Sequence, residues 1–385
     1  MSNNSDISTK HWILFKDSRD LSSVQDNSVD LVVTSPPYPM IEMWDSTFAD
    51  LNHSIAKALD EKDGPSAFEL MHLELDKVWQ HCYRILRPGG IACINIGDAV
   101  RKIGKDFRIY SNHVRIISVM DRLGFHALPD ILWRKQTNAP NKFMGSGMLP
   151  AGAYVTYEHE YILIFRKGSK RQFATEKDKK RRRASAYFWE ERNVWFSDIW
   201  TDLKGRNQGL CAQSARKRSG AYPFELAFRL ICMYSLYGDV VLDPFLGTGT
   251  TTAAAIATCR NSLGVEYHRE LYPTILESIS NAIGEGCTRQ RSRLAGHRAF
   301  VRERLESGYR FKHFNSAYQF PVMTSQEIEL TLYLPDRVNK QSDWHIEVTY
   351  RQPNTKDILE EEQLLLFQTP SENTKNSVLL LRHLK

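Results

Sequence analysis

The sequence predicts an α/β fold built on a doubly wound, largely parallel sheet. Short apolar runs of strand length alternate with helical patterns from Trp12 to Ile283, and this alternation is typical of a parallel sheet with helices on both faces. Polar motifs directly follow two of the apolar runs, where doubly wound folds bind their ligands. Two regions break the alternation: a basic segment at 166–222 and an Arg-rich, polar tail that begins at 286.

The composition is that of an ordinary globular protein with a slightly basic balance. The 385 residues include 51 Lys and Arg against 45 Asp and Glu, which gives a net charge of +6 and a pI near 8.9. This balance is compatible with a polyanionic partner. The polar N-terminus and the lack of an apolar run of membrane-spanning length predict a cytoplasmic protein. Six scattered cysteines without a C-x-x-C pair predict reduced thiols and no metal site.

The first part of the sheet is predicted to contain three strands and one long helix. The strands are expected at residues 12–15, 29–33 and 91–96. Pro36 and Pro37 stop the second strand, because proline fixes φ and removes a backbone donor. Apolar residues at helical spacing between Phe68 and Leu86 predict the helix. Residues 39–65 show no clear period and are predicted to be a loop with a short helix, which could act as a lid.

The same alternation continues to residue 283. Ser111 is placed to cap a helix that ends near Gly124, and Pro223 is placed to open another. Further strands are predicted at 127–133, 160–165, 240–242 and 263–266, and further helices at 250–257 and 273–283.

The segment 166–222 mixes basic and aromatic residues, a combination typical of nucleic-acid binding. A solvated basic loop with a small hydrophobic anchor is the alternative interpretation. The residues proposed to contact a nucleic acid are Lys179, Lys180, Arg181, Arg182, Arg183, Arg206, Arg216, Lys217 and Arg218.

The tail from 286 onward is predicted to be a small α+β module. Alternating apolar residues at 328–334 and 344–350 predict a hairpin that turns at Pro335 and Asp336. A helix at 358–367 is expected to pack on it. The sequence does not disclose a chemical role for this module.

The first chemical motif is Ser35-Pro36-Pro37-Tyr38, at the end of the strand 29–33. Its two prolines leave backbone carbonyls free of the sheet ladder. Together with the Ser35 hydroxyl and the Tyr38 ring, these acceptors could hold a planar ring that carries an amino group. A chance match in a surface loop is the alternative for so short a motif.

The second motif, Asp243-Pro244-Phe245-Leu246-Gly247-Thr248-Gly249-Thr250, follows a strand and opens a helix. Gly247 and Gly249 allow a ligand to approach the backbone closely, and the helix N-terminus favours a carboxylate or phosphate. Glu266 closes the next strand, where doubly wound folds bind ribose hydroxyls. The missing Gly-Lys-Ser/Thr ending excludes a P-loop. A plain strand-to-helix turn is the alternative.

Together, the two motifs resemble those of DNA amino-methyltransferases that use S-adenosyl-L-methionine. Those enzymes carry Asp/Asn/Ser-Pro-Pro-Tyr/Phe as the catalytic motif and commonly Asp-Pro-Phe-x-Gly-x-Gly-Thr as the cofactor motif. The resemblance covers about residues 17–283. The catalytic motif comes first in this chain, and this order is similar to the permuted beta class, whose target-recognition region occupies the place of the basic insert.

The resemblance implies roles for individual residues. Ser35, Pro36, Pro37 and Tyr38 would be catalytic. Asp17 would contact the adenine amino group of the cofactor, Phe245 would pack on adenine and Glu266 would bind ribose. The methionine end would lie against the remaining cofactor residues, which are Pro223, Asp243, Pro244, Gly247, Thr248, Gly249 and Thr250.

The resemblance also implies a Rossmann-like methyltransferase sheet. It is divided into a catalytic half at 1–165, a basic target-recognition insert at 166–222 and a cofactor-binding half at 223–285. The change of pattern adds a C-terminal α+β extension at 286–385, whose role is unknown. The expected partners are double-stranded DNA and a cognate restriction endonuclease acting on the same site, with no membrane partner.

The expected reaction is direct methyl transfer to an exocyclic amine on a flipped base. Ser35 and the Pro36 carbonyl would accept the two N–H bonds, and Tyr38 would stack on the base. Serine in the first motif position is commoner among cytosine-N4 enzymes, so the resemblance favours cytosine N4 over adenine N6. Methylation of RNA or protein nitrogen and a nucleic-acid-binding module with a vestigial methyltransferase fold remain open alternatives.

Overall fold

A large mixed sheet organises the protein in a computed structural model, which describes residues 7–135, 144–203, 222–354 and 357. Its strand order is β11-β7-β10-β3-β2-β12-β13-β1-β17-β16, and β6 pairs with β10. The strands are β1 Ile7–Phe15, β2 Val29–Thr34, β3 Leu86–Ile96, β4 Ala99–Ile103, β5 Asp106–Tyr110, β6 Phe125–Ala127, β7 Ile131–Arg134, β8 Met144–Gly145, β9 Ala153–Tyr154, β10 His159–Lys167, β11 Ile199–Trp200, β12 Val240–Asp243, β13 Asn261–Glu266, β14 His313–Phe314, β15 Pro321–Val322, β16 Leu334–Ser342 and β17 His345–Arg351.

Helices connect these strands and cover the sheet. The α-helices are α1 Asp45–Leu51, α2 His53–Asp60, α3 Gly64–Ile85, α4 Asn112–Arg122, α5 Glu176–Ala184, α6 Trp189–Trp195, α7 Phe224–Tyr234, α8 Thr250–Ala257 and α9 Tyr272–Glu306. Short 3-10 helices lie at Glu42–Trp44, Arg269–Leu271 and Ser325–Glu327. No helix among the described residues combines the length and the apolar character needed to cross a membrane.

The centre of the sheet is parallel. Strands β3, β2, β12, β13 and β1 are parallel neighbours, whereas β10 and β17 join them antiparallel on either side. The predicted doubly wound, largely parallel fold class is confirmed. β2 and β12 lie side by side with Leu31 opposite Val241 and Val32 opposite Leu242. The carboxyl ends of both strands, and therefore both sequence motifs, meet at one edge of the sheet.

Side chains of the central strands point alternately into two apolar layers. In β2, Leu31 and Val33 pack in the layer of α7, α8 and α9, while Val32 packs in the opposite layer of α1 to α4. All six residues of β2 are buried. A continuous apolar run forms this strand because both faces of a parallel sheet are covered by helices.

Two predicted elements differ from the structure, and one element was not predicted. Residues 39–65 are mostly helical rather than a loop with one short helix, since they contain α1 and α2. The strand predicted at 127–133 is divided into β6 and β7. The sequence did not predict the hairpin of β4 and β5, which follows the carboxyl end of β3.

The C-terminal region is joined to the main sheet and is not a separate module. The boundary expected after 285 lies inside α9, and β17 pairs with β1. The predicted first strand at 328–334 and the turn at Pro335 were wrong, because β16 begins at Leu334 and the hairpin turns after Ser342. The tyrosine Tyr350 is buried and its hydroxyl donates to the Ile256 carbonyl at 2.9 Å. The helix predicted at 358–367 lies outside the described residues.

Candidate active site

The corner after β2 is fixed to the neighbouring strand by a short hydrogen bond. Thr34, the last residue of β2, donates from Oγ1 to Asp243 Oδ1 at 2.6 Å. Asp243 is the last residue of β12, so this bond links the first motif to the second. The Ser35-Pro36-Pro37 corner is therefore held at a defined distance from the glycine loop.

Asp243 is the hydrogen-bonding centre of this junction. Its Oδ1 also accepts the Phe245 backbone N–H at 3.0 Å, and its Oδ2 accepts the Thr251 hydroxyl at 2.5 Å and the Tyr222 hydroxyl at 3.3 Å. Burial raises the pKa of Asp243 above its usual value, although these hydrogen bonds oppose the shift. The carboxylate holds both motifs, the start of α8 and the segment before α7 in one arrangement.

The Tyr38 hydroxyl lies in a partly buried hydrogen-bond network that includes Ser35. It accepts from Ser35 Oγ at 3.0 Å and from Asn95 Nδ2 at 2.7 Å, and it donates to Glu160 Oε2 at 3.0 Å. Lys135 Nζ donates to Glu160 Oε1 at 2.9 Å. Burial and the negative charge of Glu160 raise the pKa of Tyr38 well above its usual value, so the phenol stays protonated at neutral pH. The network fixes the plane of the Tyr38 ring.

The glycine loop is closed by Glu266 at the end of β13. Glu266 Oε2 accepts the Gly247 N–H and Oε1 accepts the His268 N–H, both at 2.8 Å. Burial raises the pKa of Glu266 to about 7, although these backbone donors lower it. Gly249 has φ +87° at the N-cap of α8, a conformation that L residues rarely adopt. The loop therefore needs glycine at this position for a backbone reason.

Two adjoining cavities open at this edge of the sheet. The first, of about 310 Å³, is lined by Asp17, Phe245, Gly247 and Glu266 among others. The second, of about 280 Å³, is lined by Ser35, Pro36, Tyr38, Asp243, Thr248 and Thr250 among others. Both share Ser35, Trp44, Phe245, Gly247 and Leu271. A bound molecule that extends from one cavity into the other would pass directly beside Ser35.

Asp17 lies in the first cavity but is already paired. Its carboxylate accepts the Arg19 backbone N–H at 2.8 Å and the Arg19 guanidinium at 2.7 Å. Partial burial acts to raise the pKa of Asp17, but these hydrogen bonds and the Arg19 charge outweigh it and lower the pKa. Arg19 also pairs with Glu74 at 2.6 Å. A ligand at Asp17 would therefore meet an ionised carboxylate that Arg19 holds in place.

Several predicted cofactor residues lie beside the cavities rather than in their walls. Pro223 precedes α7 and faces a separate surface depression, whereas its neighbour Tyr222 lines the second cavity. The Pro244 carbonyl accepts the Ser18 hydroxyl, and Gly249 begins α8. Pro244 and Gly249 belong to the backbone of the glycine loop, whereas Pro223 belongs to the start of α7 and lines neither of the two cavities.

The structure places the basic helix α5 far from this site. Arg181 lies 3.4 Å from Asp239, which precedes β12, and Arg171 pairs with the same carboxylate at 2.6 Å. These contacts are at the amino ends of the central strands, opposite the cavities. Lys179 pairs with Glu176 and Arg183 with Glu329, so Lys179, Lys180, Arg181, Arg182 and Arg183 do not border the cleft. Arg206, Arg216, Lys217 and Arg218 lie outside the described residues.

The sequence did not reveal four polar residues that complete the site. Asn95 comes from β3, Glu160 from β10, Lys135 follows β7 and Tyr222 precedes α7. β10 runs antiparallel to β3, so its first residues lie at the edge where the parallel strands end. No short motif marks this arrangement. Among the described residues, no group of three His, Cys, Asp or Glu side chains is placed to hold a metal ion.

The ribose-binding role that the resemblance implies for Glu266, together with its raised pKa, predicts a pH-dependent affinity for adenosine ligands. The folded pKa of about 7 exceeds the usual value of 4.5, so Glu266 gains a proton as the pH falls below about 7. An ionised carboxylate accepts hydrogen bonds about twice as strongly as a neutral group. We expect affinity for 5′-methylthioadenosine, which carries the ribose but no amino acid, to rise as the pH increases through about 7.

Isothermal titration across this pH range tests the expectation, with Glu266→Gln as the non-titrating comparison. The glutamine variant should bind more weakly and show a flat pH profile. A wild-type affinity that does not change across pH 7 would exclude Glu266 as an acceptor for the ribose hydroxyls.

Comparison with known proteins supplies the family context. A family model described as DNA methylase, of the N6/N4 type, matches residues 29–277. The Type II methyltransferase M.MthZI of Methanothermobacter thermautotrophicus is 52% identical over 351 residues, which cover 91% of this chain and 98% of that protein. The Type II methyltransferase M.MjaI of Methanocaldococcus jannaschii is 51% identical over 285 residues, which cover 71% of this chain and 92% of that protein.

A solved structure agrees with these matches. A candidate DNA modification methylase from Thermus thermophilus, crystallised in complex with S-adenosyl-L-methionine, is 33% identical to this chain with a TM-score of 0.54. The match covers 71% of this chain and 95% of that one.

Proposed function

Because this chain belongs to the N6/N4 family of DNA methylases, we propose that it methylates the exocyclic N4 amine of a cytosine flipped out of its target site. Its methyl donor is S-adenosyl-L-methionine and its substrate is double-stranded DNA. We propose cytosine rather than adenine because serine, Ser35, occupies the first position of the catalytic motif. The two relatives that are about half identical over most of their length are Type II methyltransferases, which supports a role as the modification enzyme of a restriction-modification system with a cognate endonuclease.

The residues around the two cavities fit the methyl donor. S-adenosyl-L-methionine supplies an electrophilic methyl group on a sulfonium. In the first cavity Glu266 would accept ribose hydroxyls, Phe245 would pack on adenine and Asp17 would accept the adenine amino group. Gly247, Thr248 and Thr250 would bind the amino-acid end close to the N-terminus of α8, which favours a carboxylate. These assignments place the reacting methyl group beside Ser35, where the two cavities join.

Ser35 and Pro36 would prepare the amine for attack. The lone pair of an exocyclic amine is delocalised into its ring, so the amine is a weak nucleophile. Acceptance of its two N–H bonds by Ser35 Oγ and the Pro36 carbonyl would localise the lone pair and aim it at the methyl group. The Tyr38 ring, held by three hydrogen bonds at its hydroxyl, would stack on the flipped base.

The Tyr38 network provides a path for the proton that the amine must lose. Methyl transfer forms an N–C bond and breaks the S–C bond, whose electron pair stays on sulfur, and leaves the nitrogen with an extra proton. Ser35 Oγ would take this proton and pass its own to Tyr38, which would pass its proton to Glu160 along contacts of 3.0 Å and 3.0 Å. The Glu160 carboxylate is the one charged acceptor of the path.

Replacing Glu160 with glutamine tests this path. Glutamine can still accept from Tyr38 but cannot take up a proton, so we expect kcat to fall by roughly 10²-fold, the lower end of the effect of proton-transfer groups. A solvent deuterium isotope effect on kcat should increase, because proton removal becomes limiting. Affinity for S-adenosyl-L-methionine should be unchanged.

Glu176→Gln is the control, since Glu176 lies on the exposed helix α5 away from the cleft and pairs with Lys179 at 2.8 Å. It should leave kcat and the isotope effect at wild-type values. Equal effects of the two substitutions would show that the loss does not depend on the position of the carboxylate and would remove Glu160 from the proton path.

Mass spectrometry of nucleosides from DNA methylated by the purified protein tests the choice of base. The proposal requires N4-methylcytosine. N6-methyladenine without N4-methylcytosine would establish the alternative, an adenine-N6 enzyme of the same family. Sequencing of the modified sites would then give the target, and a co-encoded endonuclease should fail to cut DNA modified there.

A further inference from the structure

An exposed apolar surface lies in the segment that precedes β10. Three side chains in the segment 145–158 are the most exposed large apolar groups among the described residues: Val155 at 87%, Met148 at 85% and Leu149 at 69%. Such exposure in one short segment is unusual on a soluble surface and marks an interaction site. We name residues 145–158 the cleft-side loop.

The hairpin of β4 and β5 extends this apolar surface. Phe107 and Ile109 are exposed at 38% and 46%, and the Phe107 ring lies 5.1 Å from the ring of Tyr154 in the cleft-side loop. The hairpin and the loop therefore form one surface although they are distant in sequence.

Both parts of this surface are attached to the catalytic corner. The hairpin begins directly after β3, and Arg101 Nη1 donates to the Met40 carbonyl at 3.3 Å, two residues beyond Tyr38. The cleft-side loop leads directly into β10, where Glu160 lies 3.0 Å from the Tyr38 hydroxyl. A duplex whose base enters the second cavity would pass over this surface.

Cations flank the apolar side chains. Lys102 and Lys105 are exposed on the hairpin and form no ion pair with the described residues. On the other side, Arg134 pairs with Glu158 at 3.2 Å and Lys135 pairs with Glu160 at 2.9 Å beside the cleft, so the two lysines of the hairpin are the cations without an acidic partner in the part of the chain that the structure describes. Cations at the rim and apolar groups at the centre match a duplex, which presents phosphates outside and base edges inside its grooves.

From this arrangement we propose that the cleft-side loop and the β4–β5 hairpin form the DNA-docking face of the enzyme. Met148, Leu149 and Val155 contact the bases next to the flipped nucleotide, and Lys102 and Lys105 contact phosphates. Apolar side chains inserted at a base step help to unstack it. The proposal rests on the proposed function, and it assigns DNA contact to a face opposite the basic helix α5.

Binding measurements with two sets of variants test this face. The probe is a fluorescent duplex that carries one target site identified by sequencing of modified DNA. Lys102→Ala with Lys105→Ala should make the slope of log Kd against log salt less steep by about two, because each lysine that is replaced removes one phosphate neutralisation. Met148→Ala with Leu149→Ala should weaken binding about tenfold or more, because two apolar side chains no longer pack against the bases.

Matched controls come from exposed residues elsewhere. Lys180→Ala with Arg182→Ala on α5, and Phe314→Ala on β14, should leave the Kd and the salt slope at wild-type values. Affinity for S-adenosyl-L-methionine and the melting temperature should be unchanged in every variant.

Two outcomes would overturn the proposal. In the first, both cleft-side variants bind the duplex with the Kd and the salt slope of the wild type. In the second, the α5 variant binds the duplex more weakly than the wild type, whereas the cleft-side variants do not. A change of oligomeric state in Met148→Ala with Leu149→Ala, without a change in DNA affinity, would make the face a contact between copies of this chain instead. Detection of N6-methyladenine would correct the proposed base and leave this binding test intact.

Discussion

Ser35→Ala is expected to lower kcat by about 10²–10⁴-fold, the range for a positioned group that accepts a proton in the transition state. The substitution removes the hydroxyl that would accept an amine N–H and pass a proton to Tyr38. The backbone should not move, since Thr34 holds the corner through Asp243 at 2.6 Å and the prolines fix φ. Single-turnover methylation of DNA measures the effect without interference from product release.

The cofactor affinity separates a chemical role from a structural one. Ser35→Ala should bind S-adenosyl-L-methionine and duplex DNA with wild-type affinity, because Ser35 contributes only one hydroxyl to the shared wall of the two cavities. Ser118→Ala, at an exposed position of α4, serves as a control and should show the wild-type rate. A Ser35→Ala rate close to that of the control would remove Ser35 from the mechanism.

Asp243→Ala is expected to reduce both stability and activity. The substitution leaves the Thr34 hydroxyl and the Phe245 N–H without their buried acceptor. Each unsatisfied buried donor costs about 1–3 kcal/mol, so the free energy of unfolding should fall by roughly 2–6 kcal/mol. The tie between the two motifs is removed at the same time, and we expect kcat to fall with it. Denaturant unfolding and methylation assays measure the two effects.

Asp243→Asn provides the graded comparison. An amide keeps one oxygen for Thr34 and Phe245, and the Thr251 and Tyr222 hydroxyls can each act as acceptors for its NH2 group. The Asn substitution also removes a buried negative charge, whose loss of hydration on burial raises the pKa of Asp243. The loss of stability should therefore be much smaller than in Asp243→Ala. Equal losses in the two variants would show that the charge, rather than the hydrogen bonds, holds the junction.

The sequence predicted the central sheet because its strands carry local signals. β2, β12 and β13 are short apolar runs closed by prolines, a glycine loop or an acid, and both faces of each strand are buried. The β4–β5 hairpin was not predicted, because its two strands have only five residues each and form a separate pair outside the main sheet. The apolar side chains of β5, Phe107 and Ile109, are exposed, so they do not belong to a core that continues the alternation of buried strands and helices.

The continuation of α9 past residue 285 depends on contacts that the sequence does not show. Its second half has no apolar period, but Gln290 Nε2 donates to the Ala257 carbonyl at 2.6 Å and Arg293 pairs with Glu191 at 2.6 Å. Tertiary hydrogen bonds of this kind override weak local pattern. The boundary was predicted at 285 because the composition changes there. The helix continues past 285 because its polar side chains form hydrogen bonds and ion pairs with α8 and α6.

Within the site, the motifs predicted which backbone corners would meet but not how their side chains would be held. The sequence was sufficient to place Tyr38 at the corner. It was not sufficient to predict the hydrogen bond from Tyr38 to Glu160, because that bond requires β10 to run antiparallel to β3. The basic helix shows the same limit, since composition indicated a polyanion contact and only the fold shows that α5 packs at the amino ends of the strands.

Because β2 pairs with β12, the corner after β2 cannot reach its final arrangement until the chain has been synthesised as far as β12. Thr34 and Asp243 are 209 positions apart, which corresponds to roughly 10–40 s of synthesis at ~5–20 residues per second. During that interval the emerging catalytic corner lacks both its anchor and its cofactor loop, and β2 presents an unpaired edge. We therefore expect products that terminate before β12 to lack transferase activity, and we expect their unpaired strand edge to make them substrates for chaperones and proteases.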